Sequence, residues 1–304
     1  MIIKKNKKVR WMKKKFVVIG ILLAFLISTV AVTTAKHKPD FKPSHATDIE
    51  LVKKVTLKGP KAKGGKRAKQ ASTGVLGELC KGEKYAIIIG ISDYPGDEND
   101  LRYADDDAVD VYNTLVNVYR FSSDNIYLLI DRDATIDNIT AAIEDVKGKA
   151  QTGDEVVFFF SGHGARGIAD DGDREKIDEA IVVHDGSNLV YLWDGDLKQL
   201  FSGFSTSRIF SAFDSCLAGG MTDLKATGRV IAMASTENGY SYEIPTLENG
   251  EFTYYFFEQG MHGLADNHPQ DGNVTVEEAF DYTKASCDLD RPTISDSFEN
   301  DLLL

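Results

Sequence analysis

Basic residues are scarce in the carboxy-terminal three quarters of this sequence. Residues 79–304 hold 16 Lys and Arg against 43 Asp and Glu, whereas residues 1–78 hold 19 against four. Binding to nucleic acid requires a basic surface, so nucleic acid is not an expected partner. The acidic balance permits a basic substrate, or a basic segment of the chain lying on an acidic site. Solubility is the alternative reason for it.

Cysteine is also scarce, and the count is odd. The three cysteines are Cys80, Cys216 and Cys287. Cysteines of an exported protein can pair, and an odd one then stays free. The economical pairing joins Cys80 to Cys287, near the two ends of residues 79–304. It leaves Cys216 free, as a nucleophile requires, and three unpaired thiols are the alternative.

A long uncharged apolar run occurs at residues 16–32. It follows eight Lys and Arg within residues 1–15 and precedes small residues at 33–35. This order is typical of a secretory signal. The run has 17 residues, close to the lower limit for crossing a bilayer, so an uncleaved anchor is the alternative. We expect residues 1–35 to be a signal peptide or anchor and the rest to be exported, touching a membrane only through this segment.

Residues 36–78 are rich in Lys, Gly and Pro. Such a composition cannot bury a core, so these residues are predicted to be a mobile basic linker or propeptide. Residues 79–304 are numerous enough for one well-buried domain.

Strand-like and helix-like patterns alternate along residues 79–304. Continuous β-branched and aromatic runs predict buried strands, and apolar residues at helical spacing predict helices. The predicted strands are 84–91, 125–130, 155–160, 208–213 and 229–234, with a hairpin over 180–192, and the predicted helices are 105–119, 135–149, 194–201, 251–261 and 276–286. The alternation predicts an α/β fold, a mostly parallel sheet with helices on both faces.

Two of these strands end in turns that carry residues suited to nucleophilic catalysis. Ser161-Gly-His-Gly164 follows the third strand, and Asp214-Ser-Cys216 follows the fourth. Side chains at the carboxyl ends of neighbouring parallel strands meet in one crevice. We therefore expect His163 beside Cys216, and a thiol with an imidazole in reach is a site for acyl transfer.

On these motifs, residues 84–286 resemble the caspase-like cysteine peptidases, most closely the metacaspase branch. Residues 86–91 with 101–108 are similar to the family's first strand and helix start, and residues 173–185 to its acidic insert. Leu217 departs from the His-Ser-Gly that follows the metacaspase cysteine, and the Gln-Ala-Cys of caspases is absent. The resemblance implies the caspase–haemoglobinase fold and a cysteine endopeptidase whose chemistry needs no cofactor.

The resemblance also implies a role for each site residue. Cys216 is the nucleophile, His163 is the base, and the N–H groups of Gly164 and Cys216 form the oxyanion hole. Metacaspases cleave after Arg or Lys, and the matching acidic positions are Asp214 and Asp107. Asp105 and Asp106 are alternatives to Asp107.

If the chain is an endopeptidase, its substrates are expected to be proteins or peptides. The chain's own linker is expected to be one of these substrates. Residues 58–69 contain six Lys and Arg. We expect cleavage after Arg67 or a neighbouring Lys, and before cleavage this basic stretch is expected to lie on the acidic site.

Calcium binding is a further expectation. Residues 267–278 fit one EF-hand loop except for Pro269 at position 3. A solvated turn is the alternative. The ligands of that loop would be Asn267, Asp271, Asn273, Thr275 and Glu278. Metacaspases are often activated by calcium through acidic loops, and a second candidate site is Asp170, Asp171, Asp173 and Asp178.

The function predicted from the sequence is thus a secreted or membrane-tethered, self-processing cysteine endopeptidase that cuts after Arg or Lys. The same fold with another specificity, for Asn or a small residue, is the nearest alternative. A non-catalytic caspase-like interaction module, or a module that only binds calcium, is the alternative from a different class.

Overall fold

The computed structural model describes residues 41–57, 70–172 and 176–304. The strands are β1 (Ala46–Val52), β2 (Val55–Thr56), β3 (Lys84–Gly90), β4 (Ile126–Ile130), β5 (Glu155–Ser161), β6 (Gly164–Ala169), β7 (Asp178–His184), β8 (Leu189–Trp193), β9 (Ile209–Asp214), β10 (Arg229–Met233), β11 (Tyr242–Ile244), β12 (Asn249–Gly250) and β13 (Thr293–Asp296). The helices are α1 (Ala104–Asn117), α2 (Ile136–Lys149), α3 (Asp194–Leu200), a turn Glu251–Thr253 continuing as the π-helix Tyr254–Leu264, and α4 (Val276–Ser286). Short 3-10 segments are Asp97–Asn99, Ser123–Asn125, Asp131–Asp133 and Ala218–Leu224.

A six-stranded sheet in the order β13-β10-β9-β5-β3-β4 forms the centre of the fold. All of its pairs are parallel except β10 with β13. Every residue of β5 is buried, as expected for a continuous apolar run between two layers of helices.

Helices cover both faces of this sheet. Ile87 and Ile89 of β3 belong to an apolar cluster that includes Ile143 of α2, whereas Ile88 belongs to a second cluster with Val111 of α1 and the π-helix. Alternate side chains of this strand therefore pack into two apolar cores, one on each face of the sheet. The predicted α/β fold is confirmed.

A four-stranded antiparallel sheet, β1-β6-β7-β8, adjoins the region after His163. Its β7–β8 pair is the predicted hairpin. Its β1 comes from residues that were predicted to be mobile linker, and that expectation is wrong for residues 46–52. Most side chains of β1 are exposed, so the strand is ordered by backbone pairing with β6 rather than by a core of its own.

Residues 70–78 also contact the domain, although the predicted boundary lies at residue 79. The carboxylate of Asp301 accepts hydrogen bonds from Ser72, Thr73 and Gly74, and Asp281 accepts from the backbone N–H of Ala71. The predicted cleavage position, Arg67, lies outside the described residues, as does the apolar run 16–32. Within the described ranges, no helix is both long and apolar enough to cross a membrane.

All three cysteines are free, so the predicted Cys80–Cys287 disulfide is wrong. Cys80 contacts the carbonyl of Gly153 near the amino ends of the central strands. Cys287 follows α4 and lies near Asp290, towards the carboxyl end of β9. Proximity to the two ends of a domain in sequence does not bring two Cα atoms within bonding range.

Candidate active site

The two motifs that the sequence predicts to be catalytic leave the same edge of the central sheet. Ser161 at the end of β5 pairs in register with Asp214 at the end of β9. His163 and Cys216 each follow two residues later, so the parallel strands deliver them side by side. A Cβ at Gly164 would overlap the carbonyl oxygen of Cys216, so the turn after the histidine requires glycine for this approach.

The imidazole of His163 is held in one orientation and one tautomer. Its Nε2 donates to the carbonyl oxygen of Asn99 at 2.7 Å, and its Nδ1 accepts the backbone N–H of Lys54 at 3.0 Å. The ring stacks on Tyr94 with centroids 4.9 Å apart. The Tyr94 hydroxyl also accepts a hydrogen bond from the backbone N–H of His163 at 3.0 Å. Burial, helped by Lys53 and Lys54, lowers the pKa of His163 to about 4. The ring is therefore neutral at pH 7.

The thiol of Cys216 is covered and protonated. The residue is 1% exposed. Its Sγ donates to the carbonyl oxygen of Lys53 at 3.4 Å and accepts the N–H of Ser241 at 3.3 Å. Burial raises the pKa of Cys216 to about 12, although the Ser241 N–H and Lys54 oppose the shift. The sulfur is therefore in its neutral form, whereas the nucleophilic form of a cysteine is the thiolate.

The ammonium of Lys54 fills an acidic pocket beside His163 and Cys216, the pair that we call the dyad. Its Nζ lies 2.7 Å from Asp214 Oδ1 and 3.4 Å from Asp107 Oδ2, and it donates to Ser161 Oγ at 3.1 Å. The three charged side chains have no exposed surface. Burial lowers the pKa of Lys54, but the carboxylates of Asp214, Asp107 and Glu243 outweigh burial and raise it above its ordinary value. The pocket therefore holds a full positive charge.

Both pocket carboxylates are fixed by further donors. Asp214 accepts from Ser241 Oγ at 2.6 Å and from the N–H and Oγ1 of Thr253 at 3.1 and 2.7 Å. Asp107, on the first turn of α1, accepts the N–H of Gly250 at 2.8 Å. Burial and Asp214 together raise the pKa of Asp107, and Lys54 opposes them. The pocket is thus prearranged for one buried cation.

Residues 84–225 match the family model of the metacaspase, peptidase C14 domain. Over these residues the chain is similar to the caspase-like, metacaspase type of peptidase domain. Metacaspase-4 of Arabidopsis thaliana is 38% identical over 148 residues, which cover 46% of this chain and 34% of that protein. Metacaspase-1 of Saccharomyces cerevisiae (strain YJM789) is 34% identical over 160 residues, covering 49% of this chain and 36% of that protein. The chain spans little more than a third of the length of these curated relatives.

Two solved structures are similar to this domain in fold. The Drosophila initiator caspase Dronc superimposes with a TM-score of 0.51 at 13% identity, covering 84% of this chain and 97% of that one. A protein from Geobacter sulfurreducens superimposes with a TM-score of 0.52 at 16% identity, covering 70% and 93%. At these identities the likeness concerns the fold alone.

The structure brings together four of the residues that the sequence placed in the candidate active site: His163, Cys216, Asp214 and Asp107. Gly164 lies against Cys216, as the oxyanion-hole prediction requires, and that role stays a prediction. Asp105 is engaged elsewhere, because its carboxylate accepts from Ser92.

Three contributors to the site were missed in the sequence. Lys54 lies in a stretch whose composition indicated only linker. Gly250 forms part of the pocket wall, since a Cβ there would overlap Asp214 and lie 2.7 Å from Lys54 Nζ. In the sequence, Asn249-Gly250 indicates only a turn. The carbonyl of Asn99 orients the histidine, and no side-chain pattern identifies a backbone acceptor.

The predicted EF-hand loop is not built as a cation site. Glu278, the expected bidentate ligand, instead accepts hydrogen bonds from the N–H groups of Asn267, His268 and Thr275. Glu278 and Thr275 form a capping box at the start of α4. This ligand prediction is wrong because the helix cap uses Oε2 of Glu278 and the loop N–H groups of Asn267 and His268 use Oε1.

Two other groups of side chains place possible ligand atoms within 4.8 Å of one another. One is Asp171, Asp178 and Asp194, and the other is Glu251, Cys287 and Asp290. The first overlaps the second candidate calcium site, of which Asp173 lies outside the described residues. In the second group, Glu251 and Asp290 accept backbone N–H groups of Leu289 and Phe252, so these carboxylates stabilise turns.

Proposed function

We propose that this chain is a cysteine endopeptidase that cuts peptide bonds after Lys or Arg, with Cys216 as nucleophile and His163 as general base and acid. The observation that carries the proposal is Lys54, a fully buried lysine held by Asp214 and Asp107 next to the thiol. A pocket that binds a lysine of its own chain in this way is built for a basic side chain.

The proposed reaction starts when a substrate places its basic side chain on these carboxylates and its carbonyl carbon at Cys216 Sγ. His163 Nδ1 takes the thiol proton, and the thiolate adds to the carbonyl carbon. The N–H groups of Gly164 and Cys216 are proposed to stabilise the oxyanion. His163 then protonates the leaving amine, and water hydrolyses the thioester. Asn99 keeps the Nε2 proton in place, so Nδ1 is the nitrogen that exchanges protons.

The pocket disfavours the alternative specificities. An Asn or small side chain would leave two buried carboxylates without a cation, and an unpaired buried charge is costly. A purely structural module would not need a thiol and an imidazole facing one peptide group. Each proton transfer has a protein group, so the proposed chemistry needs no cofactor.

Peptide hydrolysis measured across residue types before the cut bond tests this function. With fluorogenic peptides ending in Arg, Lys, Asn, Ala or Asp, the Lys54→Ala enzyme is expected to favour Arg and Lys over the others by on the order of a hundredfold or more. The physical reason is the buried ion pair. Equal rates with Asn or Asp would contradict the proposed specificity.

Self-processing and export are further parts of the proposal. Residues 58–69 hold six Lys and Arg that fit the proposed specificity, and cleavage after Arg67 would separate residues 1–67 from the domain. The apolar run 16–32 supports an exported protein, secreted or held at the cell surface.

The self-processing proposal makes a prediction for the Cys216→Ala chain. Alone, it is expected to stay full length, because it lacks the nucleophile. Added active enzyme is expected to cut it within 58–69, which intact-mass measurement would detect. Normal processing of the purified Cys216→Ala chain by itself would contradict self-cleavage.

A further inference from the structure

We propose that residues 46–57, which we name the strap, are a tethered inhibitor that lies in the active site in the direction opposite to a substrate and therefore resists cleavage. The inference rests on the proposed function and concerns the regulation of the same site.

The strap is bound on both sides of the dyad. Before the dyad, β1 pairs antiparallel with β6, ending with Val52 opposite Gly164. After it, β2 pairs in parallel with β11, and the N–H of Val55 donates to the carbonyl of Ser241 at 3.0 Å. Val52 also packs on the thiol-bearing residue Cys216. The strap therefore covers the nucleophile and fills the pocket at once.

The direction of the strap follows from the peptide group that faces the dyad. That group joins Lys53 to Lys54: its oxygen accepts from the Cys216 thiol, and its N–H donates to His163 Nδ1. The pocket residue, Lys54, thus contributes the nitrogen of the bond at the dyad. Cleavage after a basic residue requires the pocket residue to contribute the carbonyl carbon instead.

A productive substrate must therefore run the other way. Its residues preceding the pocket residue would lie along β11, where Val55, Thr56 and Leu57 now lie, and its residues following the cut bond would leave past the dyad. The strap places its preceding residues past the dyad and its following residues on β11. The pairing of β1 with β6 and of β2 with β11 fixes this direction. Reversing the strap within the site would break both pairings.

The strap also separates the two halves of the dyad. The lone pair of His163 Nδ1 accepts the Lys54 N–H, so it is not available to take the thiol proton. The thiol donates to the Lys53 carbonyl oxygen rather than to His163 Nδ1, so the pair is not aligned for transfer of the thiol proton. Both contacts oppose attack on the bond that lies nearest, and the bond after Lys54 lies on the β11 side.

The test uses the full chain with its linker blocked, so that the strap stays tethered. Glutamine replaces the six basic residues between the strap and the domain, which are Lys58, Lys61, Lys63, Lys66, Arg67 and Lys69. In this chain, Lys54→Ala is compared with Lys42→Ala, a matched loss of one lysine that precedes the strap and whose side chain is exposed. Three readouts are followed: hydrolysis of an Arg peptide, alkylation of Cys216 by iodoacetamide, and intact mass.

Lys54→Ala is expected to raise the rate of Arg-peptide hydrolysis and of Cys216 alkylation by about tenfold or more, since activity scales with the fraction of open site. Lys42→Ala is expected to stay within about twofold of the parent. Cys80, which is partly exposed, serves as the internal reference for alkylation. Intact mass is expected to show the Lys53–Lys54 and Lys54–Val55 bonds uncut in the linker-blocked parent.

Cleavage at either bond, at a rate independent of protein concentration, would overturn the reversed strap, because it would make the strap a substrate. Equal alkylation of Cys216 in the parent and Lys54→Ala chains would overturn inhibition by the strap. If no variant hydrolyses Arg or Lys peptides while Lys54→Ala still speeds alkylation, the proposed function fails and the covering role of the strap stands.

Discussion

Replacing Cys216 by alanine is expected to reduce hydrolysis of Arg and Lys peptides by on the order of 10⁴-fold or more, and His163→Ala is expected to do the same. The first variant removes the sulfur that we propose attacks the carbonyl carbon. The second removes the proposed base for the thiol proton, which is also the proposed acid for the leaving amine. Because both act in one step, the double variant is expected to be no slower than either single variant. Steady-state rates in the Lys54→Ala chain, with the strap loosened, measure the effect.

Cys80→Ala is the matched control for the cysteine, because Cys80 is free and lies towards the opposite end of the central strands. It is expected to leave the rate unchanged. Thermal unfolding of each variant checks that the loss is chemical rather than structural. A His163→Ala enzyme with most of the parental rate would contradict the assignment of the dyad.

The elements that carry the dyad could be predicted because their sequence signals are local. The β5 residues 156–160 form a continuous apolar run, which indicates a buried central strand. The Ser-Gly-His-Gly that follows indicates a tight turn at its end. The same holds for β9 and the turn at Cys216. Parallel pairing is then indicated by the alternation of strands with helices, with α3 on the connection from β5 to β9, and it brings the two turns to one edge.

The strap could not be predicted by the same reasoning. Strand β1 exposes most of its side chains, so hydrophobic periodicity carries no trace of it. Its order comes from the unpaired edge of β6, which is a property of the fold and not of residues 46–52. The charge separation did predict a basic segment on an acidic site. It pointed to residues 58–69, which lie outside the described residues, whereas the lysine found in the pocket is Lys54.

The wrong expectations share a cause. The disulfide and the EF-hand loop were both inferred from spacing along the chain, and each depended on where distant backbone segments point. Cys80 and Cys287 lie towards opposite ends of the sheet. Glu278 has the right position in the loop, but helix α4 uses it as a cap. Spacing indicates which residues can meet, and packing decides which of them do.

Gly250→Ala is expected to reduce kcat/KM for Arg and Lys peptides by about a hundredfold or more, without changing any charge. The added Cβ would overlap Asp214 and lie 2.7 Å from the position of the bound ammonium. The backbone of Gly250 has φ −63° and ψ 141°, which any residue adopts, so the effect is steric. Gly148→Ala on α2 is the matched control, because a Cβ there has nothing within 4 Å.

Asp214→Asn is expected to produce a loss of similar size by a different route. The amide keeps the shape of the carboxylate but removes the nearer charge, 2.7 Å from Lys54 Nζ. Breaking a buried ion pair costs roughly 3–5 kcal/mol, which corresponds to about a hundredfold or more in kcat/KM. Peptide kinetics with Arg and Lys substrates measure the loss, and an unchanged preference for Arg would assign the specificity to Asp107 alone.

The two pocket variants also distinguish binding of a substrate from binding of the strap. Both remove part of the site that holds Lys54, so both are expected to speed alkylation of Cys216 while they slow peptide hydrolysis. A variant that merely unfolds the domain would expose Cys287 as well, which is buried in the native structure. Alkylation at Cys216 without alkylation at Cys287 would therefore locate the change in the pocket, whereas slower alkylation of Cys216 would contradict a shared pocket.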